Sequence, residues 1–164
     1  MFIAGQLRIT MPPNNYVAIR VEESLAATIS EEVFSRLLPI PSNVRTSREM
    51  RAFWQDQLLA AGWVKNYPVG RSHLRIGYFR NQRGLCIQLG NTSRVYADLI
   101  KMQNLFNLED IELGILAVPS DEYSAYLGTN YAGFSRAEKD ISALDATITM
   151  PIVLLEVDNR RKIQ

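Results

Sequence analysis

Residues 85–101 read Leu85-Cys86-Ile87-Gln88-Leu89-Gly90-Asn91-Thr92-Ser93-Arg94-Val95-Tyr96-Ala97-Asp98-Leu99-Ile100-Lys101. Two periodicities meet inside this stretch. Leu85 to Leu89 is a short apolar run of strand length, whereas Val95, Leu99, Met102, Leu105 and Phe106 recur at the spacing that lines one helix face. Between them, Asn91, Thr92 and Ser93 offer side-chain oxygens that can accept from the first free N–H groups of a helix. The stretch therefore reads strand, turn, helix.

Upstream, Leu74 to Phe79 and Val64 to Val69 are further strand candidates, and Asn81-Gln82-Arg83-Gly84 joins Leu74–Phe79 to Leu85–Leu89 as a hairpin. Before them, Thr46 followed by Glu49 is a capping-box pair, and Met50, Phe53, Trp54, Leu58 and Leu59 continue it as a helix ending near Gly62. Downstream, Ile111 to Val118 is a buried strand ended by Pro119, and Ser120 to Phe134 reads as a long loop. Ser135 with Glu138 opens a short helix toward Leu144, Pro151 to Val157 is a closing strand, and Asn159 to Lys162 is expected to be a frayed tail. At the other end, Gln6–Met11 and Tyr16–Val21 read as strands joined by a Pro12–Asn15 turn. Thr28 and Ser30 precede Glu31-Glu32 and an apolar stripe, a short helix stopped by Pro39 and Pro41. Strands interleaved with helices imply an α/β fold, a mixed central sheet flanked by helices. One domain over residues 1–164 is expected, with its core at about 46–157.

Composition excludes several classes. The chain has one cysteine and one histidine, so neither an intrachain disulfide nor a Cys/His zinc site is available. No apolar run is long enough to span a bilayer, and residues 1–13 lack the core of a signal peptide, so a cytoplasmic protein without a membrane partner is expected. The net charge is +1, yet Arg45 to Lys101 holds ten basic residues against Glu49, Asp56 and Asp98. A basic face on a nearly neutral chain can attract phosphate locally. Arg80, Arg83, Arg94 and Lys101, with the donors of Asn91, Thr92 and Ser93, are the candidate DNA-binding residues. The alternative for the same residues is a capped helix with solvated charges. Cys86 among Leu85, Ile87 and Leu89 reads as a buried small side chain, with His73 as the sole imidazole that could serve it as a nucleophile's base. Trp54, Trp63 and the phenylalanines read as core, and Tyr123, Tyr126 and Tyr131 as a loop surface for contacts.

The ordered series from about Trp54 to Pro119, with a weaker match at Pro151–Val157, resembles the BglII/BstYI-type branch of type II restriction endonucleases within the PD-(D/E)XK superfamily. The Gln88-Leu-Gly90-Asn91 step into Tyr96-x-Asp98-x-x-Lys101 carries most of the likeness. The resemblance implies a restriction-endonuclease-like fold, DNA as partner, a homodimer, and Mg²⁺ held by an Asp on one hairpin strand and a Glu-x-Gln nine positions later. Laid onto this chain, Gln88 matches the glutamine, but the glutamate position is Cys86 and the aspartate position is Gly77. Neither supplies a hard oxygen for Mg²⁺. Residues 57–97 contain no Asp or Glu, so a slip in register restores nothing. Asp98, or Glu22, Glu23, Glu31 and Glu32, would have to stand in as relocated acids. The leading expectation is thus a catalytically degenerate relative, with no resident metal, that binds DNA or a partner protein without cutting. Two alternatives are an active Mg²⁺-dependent endonuclease using relocated carboxylates, and an interaction module with no nucleic-acid role. Restoring acids at Gly77 and Cys86 is the expected discriminator between a dead site and a moved one.

Overall fold

The computed structural model describes residues 16–158. In chain order these form β1 (Tyr16–Ile19), α1 (Glu23–Leu37), α2 (Ser47–Ala60), β2 (Val64–Pro68), β3 (Arg75–Arg80), β4 (Arg83–Ile87), α3 (Thr92–Asn107), β5 (Leu113–Pro119), α4 (Asp121–Leu127), α5 (Phe134–Ala143) and β6 (Ile152–Val157). The strands make one mixed sheet in the order β1-β6-β5-β4-β3-β2. β4, β5 and β6 run parallel, while β1, β3 and β2 are antiparallel to their neighbours. Every residue of β5 is buried, which is why Leu113–Pro119 reads as a continuous apolar run rather than an alternating one.

Two cores lie on opposite faces of this sheet. Ile29, Phe34 and Leu37 of α1 pack with Met50, Trp54 and Leu58 of α2 over Leu85, Ile115 and Val153. Val95, Leu99 and Met102 of α3 pack with Ala137 and Ile141 of α5 over Cys86, Leu116 and Leu154. The expected mixed sheet flanked by helices is the one observed. Local signals held where they were strong. Thr46 and Glu49 form both halves of the capping box at the start of α2, and Gly62 lies just beyond its end with φ +90°.

Other expectations are corrected. α1 begins at Glu23, well before Ser30; the Thr28 and Ser30 hydroxyls donate back to the Ser24 and Ala26 carbonyls at 3.0 and 2.7 Å instead of capping a helix start. The hairpin turn is two residues long, with Asn81 (φ 49°) and Gln82 (φ 59°) left-handed between the Arg80–Arg83 pair. Ser120 to Phe134 is not one loop. Ser120 Oγ accepts from the Tyr123 N–H at 3.1 Å and so opens α4. Ser135 does not cap α5; Gly133 holds that position, and the Ser135 hydroxyl donates to Asp121. The strand expected at Gln6–Met11, the Pro12–Asn15 turn and the Asn159–Lys162 tail lie outside the described residues. Among the described residues no helix is long and apolar enough to cross a membrane.

Candidate functional site

β3 and β4 pair from Arg80–Arg83 as far as Tyr78–Leu85, and the next two residues, Gly77 and Cys86, mark where the ladder opens. On the other side of β3, the β2 pairing skips Asn66, which sits at φ 56° between the Lys65–Tyr78 and Tyr67–Ile76 pairs. In a regular strand residues 76 and 78 share a face. Here Ile76 packs into the core under α3 and Tyr78 into the core under α2, so the pleat resets at Gly77. A side chain at Gly77 would meet the Leu85 carbonyl oxygen at 2.9 Å, so this close approach of two strands requires glycine. The opening leaves an open cleft of about 230 Å³ lined by Asn66, Arg75, Gly77, Cys86, Gln88 and Asp98, among others.

The sequence-derived catalytic candidates Gly77, Cys86, Gln88 and Asp98 are therefore brought together, and Lys101 joins them. Asp98 is buried, and Lys101 Nζ stands 2.8 Å from its Oδ1. The same ammonium donates to the Arg75 carbonyl oxygen at 2.9 Å, and Gln88 Nε2 donates to Asp98 Oδ2. One network thus ties β3, the residue after β4 and the second turn of α3. The spacing of Asp98 and Lys101 puts both on one helix flank, while Tyr96 turns away and donates to Asp140 of α5 at 2.6 Å.

Cys86 is buried. Burial pushes its thiol up to about 12, the Asp98 charge adds to the rise, and a backbone hydrogen bond from Gly77 and the Lys101 charge work against it. His73 is exposed and does not line the cleft. The arrangement offers no thiolate nucleophile. Two outcomes follow. In the folded protein at pH 8 an alkylating reagent is expected to modify Cys86 on the order of 10³-fold more slowly than in urea, read by mass. Because the folded thiol holds its proton above the unfolded value of 9.0, stability should fall as pH rises from 9 toward about 12. Cys86→Ala should lose that part of the pH dependence.

The implied Mg²⁺ does not suit this donor set. Gly77 has no side chain, Cys86 carries a buried neutral thiol, and Asp98 already bonds a cation and an amide. Among the described residues no group of three or more His, Cys, Asp or Glu side chains could hold a metal ion. The α1 glutamates do not line the cleft either. Glu32 binds Arg80 at 2.9 Å and Arg83 at 3.3 Å, Glu23 accepts from Tyr16 at 2.6 Å, and Glu22 accepts from Ser24 at 2.9 Å.

The candidate DNA-binding residues divide into separate groups. Arg80 and Arg83, held by Glu32, lie at the hairpin turn, the opposite end of β4 from the cleft. Asn91 Oδ1 accepts from the Ser93 N–H at 3.0 Å and so opens α3, whereas the Thr92 hydroxyl donates to the Asn130 carbonyl at 2.9 Å and ties that start to the segment between α4 and α5. Arg94 is exposed, with no ion pair among the described residues. Tyr123 is core, its hydroxyl 3.8 Å from Met50 Sδ, while Tyr126 is exposed. The Met50 contact also places the first turns of α2, with exposed Arg45, Arg48 and Arg51, beside α4 at the end of β5. The sequence signal for that arginine row was its three-residue spacing.

A family model described as restriction endonuclease BglII/BglIII matches residues 21–156. The crystal structure of restriction endonuclease BglII complexed with a DNA 16-mer superposes at a TM-score of 0.68, with 11% identity, over 88% of this chain and 76% of that one. The crystal structure of free BglII gives a TM-score of 0.65, 13% identity, and 87% and 78% coverage. At these identities the structural likeness establishes the fold. No curated protein matches the chain.

Proposed function

Because the chain belongs to the restriction endonuclease BglII/BglIII family, we propose that it is a member that binds duplex DNA without hydrolysing it. The carrying observation is the state of the cleft. Its two expected acid positions are Gly77 and Cys86, and the one carboxylate that lines it among the described residues, Asp98, is bonded by Lys101 and Gln88. The lack of a second carboxylate in the cleft among the described residues supports this reading, because metal-assisted phosphodiester cleavage of the family's kind uses a pair.

Affinity would come from the phosphate backbone. Arg94 at the start of α3, its side chain against Gly90, and the Arg45, Arg48 and Arg51 row at the start of α2 are exposed cations. Cations in the first turns of a helix oppose its dipole at a cost of about 0.3–1 kcal/mol each, so this row is poorly placed for stability and well placed for a polyanion. Arg80 and Arg83 would reach phosphate only by exchanging Glu32 for it. Two copies per duplex are expected from the resemblance.

The test is electrophoretic retardation of mixed-sequence duplex DNA, in EDTA, Mg²⁺ and Mn²⁺. Retarded but intact DNA is expected, with affinity falling steeply as salt rises and falling further in Arg48→Glu/Arg51→Glu. No binding at low salt would overturn the proposal in favour of an interaction module. One observation favours another reading, an endonuclease with a relocated acid: Asp98 does line the cleft. Metal-dependent cleavage lost on Asp98→Asn would establish it.

A further inference from the structure

We infer that the Lys101 ammonium is this cleft's own cation, occupying the position beside Asp98 that a divalent ion would need. The inference deepens the proposed function, since DNA binding then needs no metal, and it rests on that reading only for its DNA arm.

A buried carboxylate is costly unless a cation and hydrogen bonds compensate it. The Asp98 side chain is 6% exposed, and Lys101 supplies that cation at 2.8 Å from Oδ1. This differs from an ordinary helical ion pair. The Arg136–Asp140 pair on α5 stands at 3.7 Å with side chains 58% and 28% exposed. Lys101 instead reaches across to the Arg75 carbonyl on β3 at 2.9 Å, so its ammonium gathers oxygens from two elements, as a bound ion does.

The ammonium and a divalent ion compete for the same oxygen. A divalent ion bonded to Asp98 Oδ1 would sit at about 2.0–2.6 Å from that oxygen. The ammonium is already 2.8 Å from the same atom, so an ion on the lone pair that Nζ takes would meet like charge in the same space. The Gln88 amide agrees with this. It presents nitrogen to Asp98 Oδ2, as a donor to a carboxylate, rather than oxygen to an ion. Aspartate and lysine together are neutral, so the cleft presents no net charge from this pair to draw a cation in.

Removing the ammonium should therefore uncover a site. Lys101→Ala leaves the Asp98 carboxylate, the Arg75 carbonyl and a Gln88 amide free to turn its oxygen inward, three hard oxygens around one gap. The experiment is Mn²⁺ titration followed by electron paramagnetic resonance, with thermal unfolding in EDTA and in Mn²⁺. Wild type should bind no more Mn²⁺ than Asp98→Asn and unfold at the same temperature with or without the ion. Lys101→Ala should bind at least about tenfold more tightly than wild type and gain thermal stability from Mn²⁺. Lys101→Ala/Asp98→Asn should lose both gains. Folding of Lys101→Ala only in Mn²⁺ would also support the inference.

Asp98-dependent Mn²⁺ binding by the wild type would overturn it, whatever the variants do. So would a folded Lys101→Ala that takes up none. The DNA arm compares wild-type affinity in EDTA and in Mg²⁺ at matched ionic strength, and equality is expected. A Mg²⁺-dependent affinity lost in Asp98→Asn would overturn the inference. Absence of DNA binding with the Mn²⁺ results intact would instead remove the proposed function and leave Lys101 as the cation.

Discussion

The double variant Gly77→Asp/Cys86→Glu, which places a carboxylate at each position where the family resemblance expects one, should unfold rather than cut DNA. A Cβ at Gly77 would stand 2.9 Å from the Leu85 carbonyl oxygen, and the obstacle is paired strand backbone rather than a flexible side chain. Overpacking of this kind costs about 1–3 kcal/mol. Cys86 is 2% exposed, so glutamate there brings a second, uncompensated carboxylate beside Asp98 in a space filled by a thiol. That adds a penalty of several kcal/mol. Together the two are comparable with the whole stability of a domain, about 5–15 kcal/mol. Circular dichroism in urea should show the loss. A folded double variant with metal-dependent cleavage would mean that the cleft still fits an ion, against the geometry described. Restoring the acids therefore cannot separate a dead site from a moved one, as the sequence alone suggested, because glycine at position 77 is also a packing requirement.

The second large effect concerns the seam between α1 and α2. Trp54 is among the largest fully buried side chains, and its Nε1 donates to the Leu37 carbonyl, the last residue of α1, at 2.9 Å. Trp54→Ala should cost about 3–5 kcal/mol through the cavity and the unbonded carbonyl. Trp54→Phe keeps most of the apolar volume and should cost about 1–2 kcal/mol, mainly the hydrogen bond. Urea midpoints at an unchanged slope would measure both. Equal losses would show that the indole N–H contributes nothing separable.

The legible parts of this fold were those specified by near neighbours. Asn91 capping α3, the Thr46–Glu49 box and the apolar run of β5 depend on residues a few positions apart, and each appears as read. The meeting of Gly77, Cys86 and Gln88 was legible because an antiparallel hairpin converts sequence spacing into proximity. Lys101 was read as a DNA contact, since nothing in its local sequence reveals that the carbonyl it needs belongs to Arg75, across the cleft on β3. The same holds for Arg80 and Arg83, whose partner Glu32 lies about fifty residues earlier and was read at a helix start and as a candidate relocated acid. Gln103 is another such case. It looks like one more polar residue of a helix, yet its Oε1 accepts from the Thr149 and Met150 N–H groups and anchors the chain entering β6. α1 was read too short because its hydroxyl residues suit helix starts as well as back-bonding within a turn.

The left-handed Asn66 has a consequence for how copies of this chain meet. β2 is the terminal strand of the sheet, so its outer row of peptide groups faces no neighbouring strand among the described residues. A terminal strand with regular peptides is a template on which a second chain can crystallise its own strand, and from there a fibril. This one is interrupted at Asn66 and ends at Pro68, which has no N–H to offer. Only Val64 and Lys65 precede the interruption, too short a run to hold a register, and Lys65 adds charge. The distortion that opens the cleft on one side of β3 thus accompanies, on the other, an edge that resists polymerisation.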